Sequence, residues 1–402
     1  MTDDAAMIEQ FADLGRAFGD PEAAAARATA EPMQMYLDRA AKCPVERLDD
    51  NFVVLMRMED ILFVNKHHDV EQMSKYLGSS RPAIPLGLDG AEHRKYRRLL
   101  DPVFTARRIA PLAENVRELA DEMIDGFIGD GEVMAHQRWC EPLPSIIFLS
   151  ILGLPVSDLD DFLHFKSLTL GNEFATLPFE EAMARREEAV VWIHDYFNTL
   201  LDTRLGAVDP GDDLLGWLLT TEIEGERLPR EDLLDILGLL MIAGLDTVAA
   251  SLACFLSYLA RHDDDRRRLT ADPTLWPGAI EELLRFESPV TEGGRIALVD
   301  LDLPSGEHVT AGTKMAISWH AANLDPAVFT DPLTVDFERA PNPHIAFASG
   351  FHRCLGSHLA RMEMHVALEA WHERIPDYSI VSGSDLSYSG NPRAPHHLHL
   401  TW

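Results

Sequence analysis

The stretch that decides the reading is His344-Ile345-Ala346-Phe347-Ala348-Ser349-Gly350-Phe351-His352-Arg353-Cys354-Leu355-Gly356. It holds one cysteine between two glycines, and a helical pattern follows directly, from Leu355 to about Ile375. Cys354 therefore falls where a loop turns into a helix N-terminus. Unpaired backbone N–H groups and the positive end of the helix dipole favour a thiolate there. Gly350 admits a backbone conformation that a side chain forbids. Gly356 leaves room for something flat to come close, and Phe347 is placed to cover the sulfur. For these residues alone the plainer alternative is a buried cysteine acting as a small hydrophobe.

Composition narrows the setting. The chain has 402 residues, 46% of them hydrophobic and 25% charged, as in an ordinary globular protein. A formal net charge of −31 argues against broad nucleic-acid binding and against adsorption to anionic lipid. The four cysteines, Cys43, Cys140, Cys254 and Cys354, are far apart. That spacing speaks against a disulfide framework or a structural zinc site and suits a reducing, cytoplasmic compartment. The acidic start, Met-Thr-Asp-Asp-Ala-Ala, has no apolar core of a signal peptide, so neither a leader nor an N-terminal membrane anchor is expected. No repeat or linker divides the chain, and it reads as one domain over 1–402.

Working back from the cysteine, the run Ile236 to Ala260 is apolar, with Asp246 near its middle. Its length would allow a membrane span. The central carboxylate and the acidic flank, Glu231, Asp232 and Asp235, favour a buried central helix instead. Within it lies Ala243-Gly244-Leu245-Asp246-Thr247. Gly244 lets a flat ligand or dioxygen approach the backbone, and Gly244, Asp246 and Thr247 together are expected to open the hydrogen-bond ladder into a kink. An acid beside an alcohol is costly in an apolar helix unless it has partners or work. Pairing of Asp246 to a distant Arg, with Thr247 bonding back to a carbonyl, is the bland alternative.

Glu282 and Arg285 are spaced to pair on one helix face. Glu92-His93-Arg94-Lys95-Tyr96-Arg97-Arg98 is a basic cluster in an acidic protein, with His93 and Arg97 on one face; a solvated charged face is its plainer reading. Phe52 to Val64 reads as two short strands around a turn. Gly293 to Ala297 starts another strand-like stretch. Leu168, Leu170, Phe174, Leu177 and Phe179 make Ser167 to Glu188 apolar. His397 and His399 share a strand face near the C-terminus; exposed imidazoles are expected there rather than a metal site.

The pattern Phe347, Gly350, His352, Cys354, Gly356 resembles the cysteine-ligand loop of the cytochrome P-450 family, the haem-thiolate monooxygenases. Ala348 departs from it, since many members carry Gly or Ser there. Three other parts fall in family order. Ala243 to Thr247 resembles the oxygen-activation motif, Glu282 and Arg285 the Glu–Arg pair, and Asp336-Phe337-Glu338-Arg339 the meander that supplies a third member, Arg339. Leu324 stands where many relatives have Arg, a change expected to touch only a surface contact.

The resemblance implies a mainly α fold with a small β region. This is a triangular prism with haem b (iron protoporphyrin IX) between the long helix and the helix after Cys354. It implies Cys354 as axial ligand to the iron, and His93, Arg97, Arg295 and His352 as partners of the haem propionates. Thr247 and Asp246 would deliver protons to dioxygen, and Ser167 to Glu188 would lie over a lipophilic substrate. The substrate implied is a terpenoid, steroid, fatty acid or aromatic. The sequence has no nucleotide-binding glycine fingerprint, so electrons would come from NAD(P)H through a ferredoxin reductase and a ferredoxin. The ferredoxin would dock on Arg94 to Arg98, Arg353 and Arg361 of a monomer. A peroxide-driven peroxygenase of the same fold and a non-catalytic haem sensor or carrier are the alternatives.

Overall fold

A computed structural model describes residues 21–72, 81–170, 179–207, 209 and 211–402. Val45–Asp49 (β1) and Phe52–Leu55 (β2) form an antiparallel pair. Every residue of β2 is buried, as suits the β-branched and aromatic run Phe-Val-Val-Leu. The second strand expected before Val64 is a helix instead, Met58–Val64 (α1). Glu59 and Asp60 sit in its first turn, where the dipole favours acids, and Met58, Ile61 and Val64 are buried along one side. Helical spacing of apolar residues thus outweighs local β preference, and β2 finds its partner upstream.

Val70–Gln72 (β3) completes the N-terminal share of the sheet. Helices Gly90–Leu100 (α2) and Leu112–Asp125 (α3), strand Glu132–Met134 (β4), and helices Pro142–Leu152 (α4), Leu159–Leu170 (α5) and Phe179–Leu205 (α6) follow. The expected apolar cover from Ser167 to Glu188 falls largely on residues 171–178, which lie outside the described residues. Of its named members, Phe174 and Leu177 are among these.

The apolar run becomes Arg230–Arg261 (α7), bracketed by Glu231 and Asp232 in its first turn and Arg261 in its last, both favourable to the dipole. Among the described residues it alone is long and apolar enough to cross a membrane, yet 78% of its most apolar stretch is buried inside the protein. Residues Val248 to Ala260 are buried on every side. It runs as one helix through Gly244 and Thr247; the Thr247 hydroxyl is satisfied by the Ala243 carbonyl, and the Phe148 ring packs beside Gly244.

Trp276–Glu287 (α8) leads into Glu292–Ala297 (β5) and Lys314–Ser318 (β6). The five-stranded order is β1-β2-β6-β5-β3, with β2 and β6 parallel and the other pairs antiparallel; Met315 stands opposite Arg295. Ser357–Arg374 (α9) begins as the cysteine loop ends, and Gly356 takes its N-cap position. Ser379–Ile380 (β7) and His399–Thr401 (β8) join β4 in a second sheet. His399 is half-buried there and His397 exposed, and no metal-holding group of His, Cys, Asp or Glu occurs among the described residues. Leu324 is fully buried in the largest apolar cluster rather than at the surface. The loss of an Arg there is a gain of core contact.

Candidate active site

The loop 344–356 is held by backbone and amide bonds before any side-chain chemistry begins. Cys354 N–H donates to the Phe347 carbonyl at 2.9 Å, and Ala348 N–H to the Ile345 carbonyl at 2.8 Å. Gly350 has φ +67°, and a Cβ on it would stand 2.0 Å from the Asn65 carbonyl oxygen, so both conformation and space require glycine. Ala348 also lies in the left-handed region, at φ +55°, without that excuse.

Beneath the loop stands the charged lock. Arg285 donates to both carboxylate oxygens of Glu282, at 2.7 and 2.8 Å, with both side chains fully buried. Arg339 Nε reaches the same carboxylate at 3.0 Å, and Asn342 and the Asp336 N–H add one bond each. The expected triad is therefore assembled, and its remaining donors close on backbone carbonyls of Asn323, Pro332, Thr334 and Thr330. Such pairing is what makes buried charges tolerable.

Asn323, directly before Leu324, carries no signal in the sequence alone. Its side chain accepts from Ile345 N–H at 2.7 Å and donates to Ser288 Oγ at 2.9 Å, which ties the loop to the end of α8. Glu281 is a second missed member. Arg361 donates to it at 2.6 and 2.8 Å, and His344 sits 3.0 Å away. Burial pushes its carboxyl up, but these hydrogen bonds outweigh it and hold the pKa at about 2. Arg361 also lies over the Phe347 ring, 4.4 Å from its centroid. It is thus committed to the loop, not to an outer docking face.

Cys354 is exposed. Burial of the sulfur's remaining surroundings pushes its thiol up; the Gly356 N–H and the charges of Arg97, Arg361 and Arg353 pull the other way without winning. The helix start therefore does not by itself make a thiolate. A metal would have to do so.

The residues named as propionate partners converge on the same side. The His93 and His352 rings lie 4.3 Å apart, and Arg97 donates to the Arg353 carbonyl at 2.7 Å and to Asp101 at 2.8 Å. Burial, with the charges of His352 and Arg97, lowers His93 to about 4. Arg295 is buried, and burial brings its guanidinium down to about 10. It donates to Gln72 and to the Gly294 carbonyl, and no carboxylate lies in salt-bridge range of it among the described residues. His352 is held by Asp89 through Nε2 at 2.9 Å, a partner that sequence did not suggest. Its buried Nδ1 has none.

Facing this loop is α7. Leu355 and Leu359 belong to the apolar cluster that contains Leu240, Met241 and Leu245. In the middle of an otherwise buried helix, Ala243 is exposed and Leu239, Ile242 and Thr247 are half-buried. Thr247 Oγ donates to the Ala243 carbonyl at 3.1 Å. Asp246 is buried and accepts from Lys166 Nζ at 3.0 Å; Lys166 also donates to Glu141. The acid thus has a distant cation, Lys rather than Arg. Lys166 follows Phe162 by one turn of α5, and a lysine on that aromatic stripe was the available signal. Gly244 turns away from the open stripe. A Cβ there would stand 2.7 Å from the Phe148 ring, so this glycine serves packing against α4 and not the approach of a ligand.

These residues suit a haem. Cys354 is the exposed cysteine of the four. A Cβ on Gly356, whose φ of −82° is ordinary, would meet no protein atom within 4 Å. A buried guanidinium lacks a carboxylate, and a buried imidazole nitrogen lacks a partner, as two propionates require.

Comparison with known proteins agrees. Residues 274–371 match the family model for cytochrome P-450. Pentalenic acid synthase of Streptomyces avermitilis is 33% identical over 76% of this chain and 74% of its own. The steroid C26-monooxygenase of Mycobacterium tuberculosis is 29% identical over 88% and 89%. A myxobacterial cytochrome P-450 solved with myristic acid superposes with a TM-score of 0.83 at 29% identity, over 96% of this chain and 98% of that one.

Proposed function

The chain belongs to the cytochrome P-450 family of monooxygenases, and on that premise we propose that it inserts one oxygen atom of O2 into a C–H bond of a lipophilic substrate, using electrons from a ferredoxin. The observation that carries this reading is the exposed Cys354 on a locked loop beside the helix that carries exposed Ala243 and half-buried Thr247. Bound haem supplies the oxygen chemistry, with a thiolate ligand favouring O–O cleavage.

Cys354 is the ligand. His93, Arg97, Arg295 and His352 would hold the propionates: Arg295 supplies a buried charge and His352 a buried Nδ1 without a partner. Phe347, pinned by Arg361, shields the sulfur side from water, and Gly356 keeps that face clear. Thr247 turns its hydroxyl from the Ala243 carbonyl toward O2, and Asp246, steadied by Lys166, supplies the proton behind it. This acid–alcohol pair favours O2 over peroxide as oxidant. The apolar stripe of α7 and the relatives that act on steroids or were solved with a fatty acid support a hydrophobic substrate.

Electrons enter from the cysteine side, which α2 overhangs through the Arg97 bond to the loop. Arg94, Arg98 and Arg353 are exposed there, a cationic patch on a protein of net charge −31, and fit an acidic ferredoxin served by an NAD(P)H-dependent reductase. Arg94→Ala with Lys95→Ala slows reduction and flattens its salt dependence; unchanged kinetics would remove this face from the reading.

The deciding experiment is the carbon-monoxide difference spectrum of the dithionite-reduced protein. A long-wavelength Soret band that disappears in Cys354→Ser supports the assignment. A band at the wavelength of neutral-ligand haem in the unaltered protein would end it.

A further inference from the structure

A groove of about 300 Å³ opens where three helices meet beside the cysteine loop: the short helix Ala106–Ile109, the start of α8 and the first half of α9. Ala106, Ile109, Ala110, Pro277, Ile280 and Met362 give it apolar walls. Its polar members are either engaged or at the rim. Glu281 is claimed by Arg361 and His344, and His365 lies 3.4 Å from Glu369. His358 is exposed. The groove therefore offers hydrocarbon contact more than polar recognition. It borders the ligand loop, because the Arg361 that lines it lies 4.4 Å from the centroid of the Phe347 ring, and the Phe347 carbonyl accepts from Cys354 N–H.

The exposed arginines around this place are unpaired. Arg107 and Arg108 stand between the lining residues of the short helix and face solvent. Arg94 and Arg98 of α2, the helix just before it, and Arg353 of the loop are exposed as well. None of these five has an ion-pair partner among the described residues. Lys95 and Arg97 of the same α2, by contrast, are paired with Glu224 and Asp101. Arg97 also ties α2 to the loop through the Arg353 carbonyl. On a chain of net charge −31, five free guanidiniums mark the face that an acidic protein can approach.

We propose that the groove anchors the electron donor: an acidic iron–sulfur protein seats an apolar side chain, aromatic or branched aliphatic, between the short helix and α9, while its carboxylates meet the five arginines. The inference rests on the reading of an acidic ferredoxin as the electron source and adds an uncharged determinant to it.

Charge and hydrocarbon do different work at such an interface. The guanidiniums draw the donor in and speed association, an effect that salt screens over about 8–10 Å. A side chain seated in the groove slows dissociation, and salt leaves that contribution in place. The groove also selects a pose. Arginines spread over three segments attract an acidic surface in many orientations, and one apolar seat chooses among them. A small apolar molecule in the groove would leave the arginines without a role, and a second copy of this chain would bring the same five cations against them. An acidic protein with one protruding apolar side chain uses both features. Seated there, it stands one side chain, Arg361, from Phe347 and the ligand loop.

The test uses the haem-loaded full chain and a bacterial two-iron, two-sulfur ferredoxin of net negative charge. Binding is followed by calorimetry and reduction by stopped flow, at about 0.05 and 0.5 M salt. Ala106→Trp and Ala110→Trp fill the groove from exposed positions. Each should weaken ferredoxin binding about tenfold at both salt concentrations, with the carbon-monoxide band and the rate of reduction by dithionite unchanged. Arg107→Gln with Arg108→Gln should weaken binding at low salt and have little effect at high salt. Two separate fillings keep the test decisive should one disturb the short helix. Ferredoxin binding that both fillings leave intact would overturn the anchor, and so would a loss that high salt erases. No binding to the unaltered protein, or no long-wavelength carbon-monoxide band, would end the reading on which the anchor stands, and the anchor with it.

Discussion

The two sides of the candidate site are built on different principles. On the cysteine side, the central carboxylate, Glu282, is fully enclosed and saturated with donors. Glu282 alone accepts from Arg285, Arg339, Asn342 and a backbone N–H, and Asn323 and Asn65 hold the loop by further bonds. On the α7 side, small long-range ion clusters stand in apolar surroundings: Lys166 between Asp246 and Glu141, and Arg81 between Asp235 and Asp232. A saturated network defines one geometry, whereas a two- or three-member cluster between helices constrains its surroundings less. On the proposed reading, the metal ligand belongs to the rigid side and the substrate to the other.

The largest break in that contrast comes from Glu282→Ala. It strands Arg285 with no exposed surface and Arg339 beside it. Removing one partner of a buried pair costs about 3–5 kcal/mol. The variant should unfold at markedly lower urea concentration, measured by circular dichroism, and take up haem poorly. A midpoint like that of the unaltered protein would show the lock to be ornamental.

Glu281 sharpens the comparison through pH. Its folded pKa, about 2, lies below the ordinary 4.5, so the unfolded chain binds the proton more readily. The stabilisation is full above about 4.5 and is lost as pH falls toward 2. With the side chain 31% exposed, solvent screening reduces it to roughly 2 kcal/mol. Urea unfolding of Glu281→Gln should show a shallower loss of stability over that window than the unaltered protein. Parallel curves would deny the carboxylate its role.

On the opposite side the expected effect moves from stability to chemistry. Thr247 makes one bond, to its own helix, so Thr247→Ala should leave haem content and unfolding nearly unchanged. Product formed per NAD(P)H should fall severalfold, up to about tenfold or 1.4 kcal/mol in the competing barriers. Unaltered coupling would count against its role toward O2.

This division also explains what sequence could show. The cysteine loop, the Glu–Arg pair and Arg339 are close-set residue patterns whose chemistry needs those types at those spacings, and they are legible. So is α7, because its apolar run exceeds any surface helix. Lys166, Asp89 and Arg81 are not, for each acts on a partner far along the chain: Lys166 on Asp246, Asp89 on His352 and Arg81 on Asp235. Only the fold brings these together. Met58–Val64 failed for the opposite reason, since its local β preference is real but its apolar residues repeat at helical spacing and tertiary burial decided. Gly244 failed because a glycine in sequence shows that space is needed, not which neighbour fills it; here it is Phe148.

The smallest effect tests the rigid side at the strained corner of its ligand loop. Ala348 holds φ +55° within a loop whose other left-handed position is a glycine, Gly350. A side chain in that region costs about 1–2 kcal/mol, and replacing it with glycine returns part of the gain by loosening the unfolded chain, by about 0.5–1 kcal/mol. Ala348→Gly should therefore raise stability by roughly 0.5 kcal/mol in urea unfolding, with the carbon-monoxide band unmoved. The sign is what matters. If the variant is less stable, the alanine methyl makes a contact worth more than its strain, and the loop is held by packing at that turn. If it is more stable, the hydrogen bonds from Ala348 to Ile345 and from Cys354 to Phe347 impose the turn against the residue's own preference. The geometry of the ligand loop then belongs to its backbone network, whatever small residue occupies the corner.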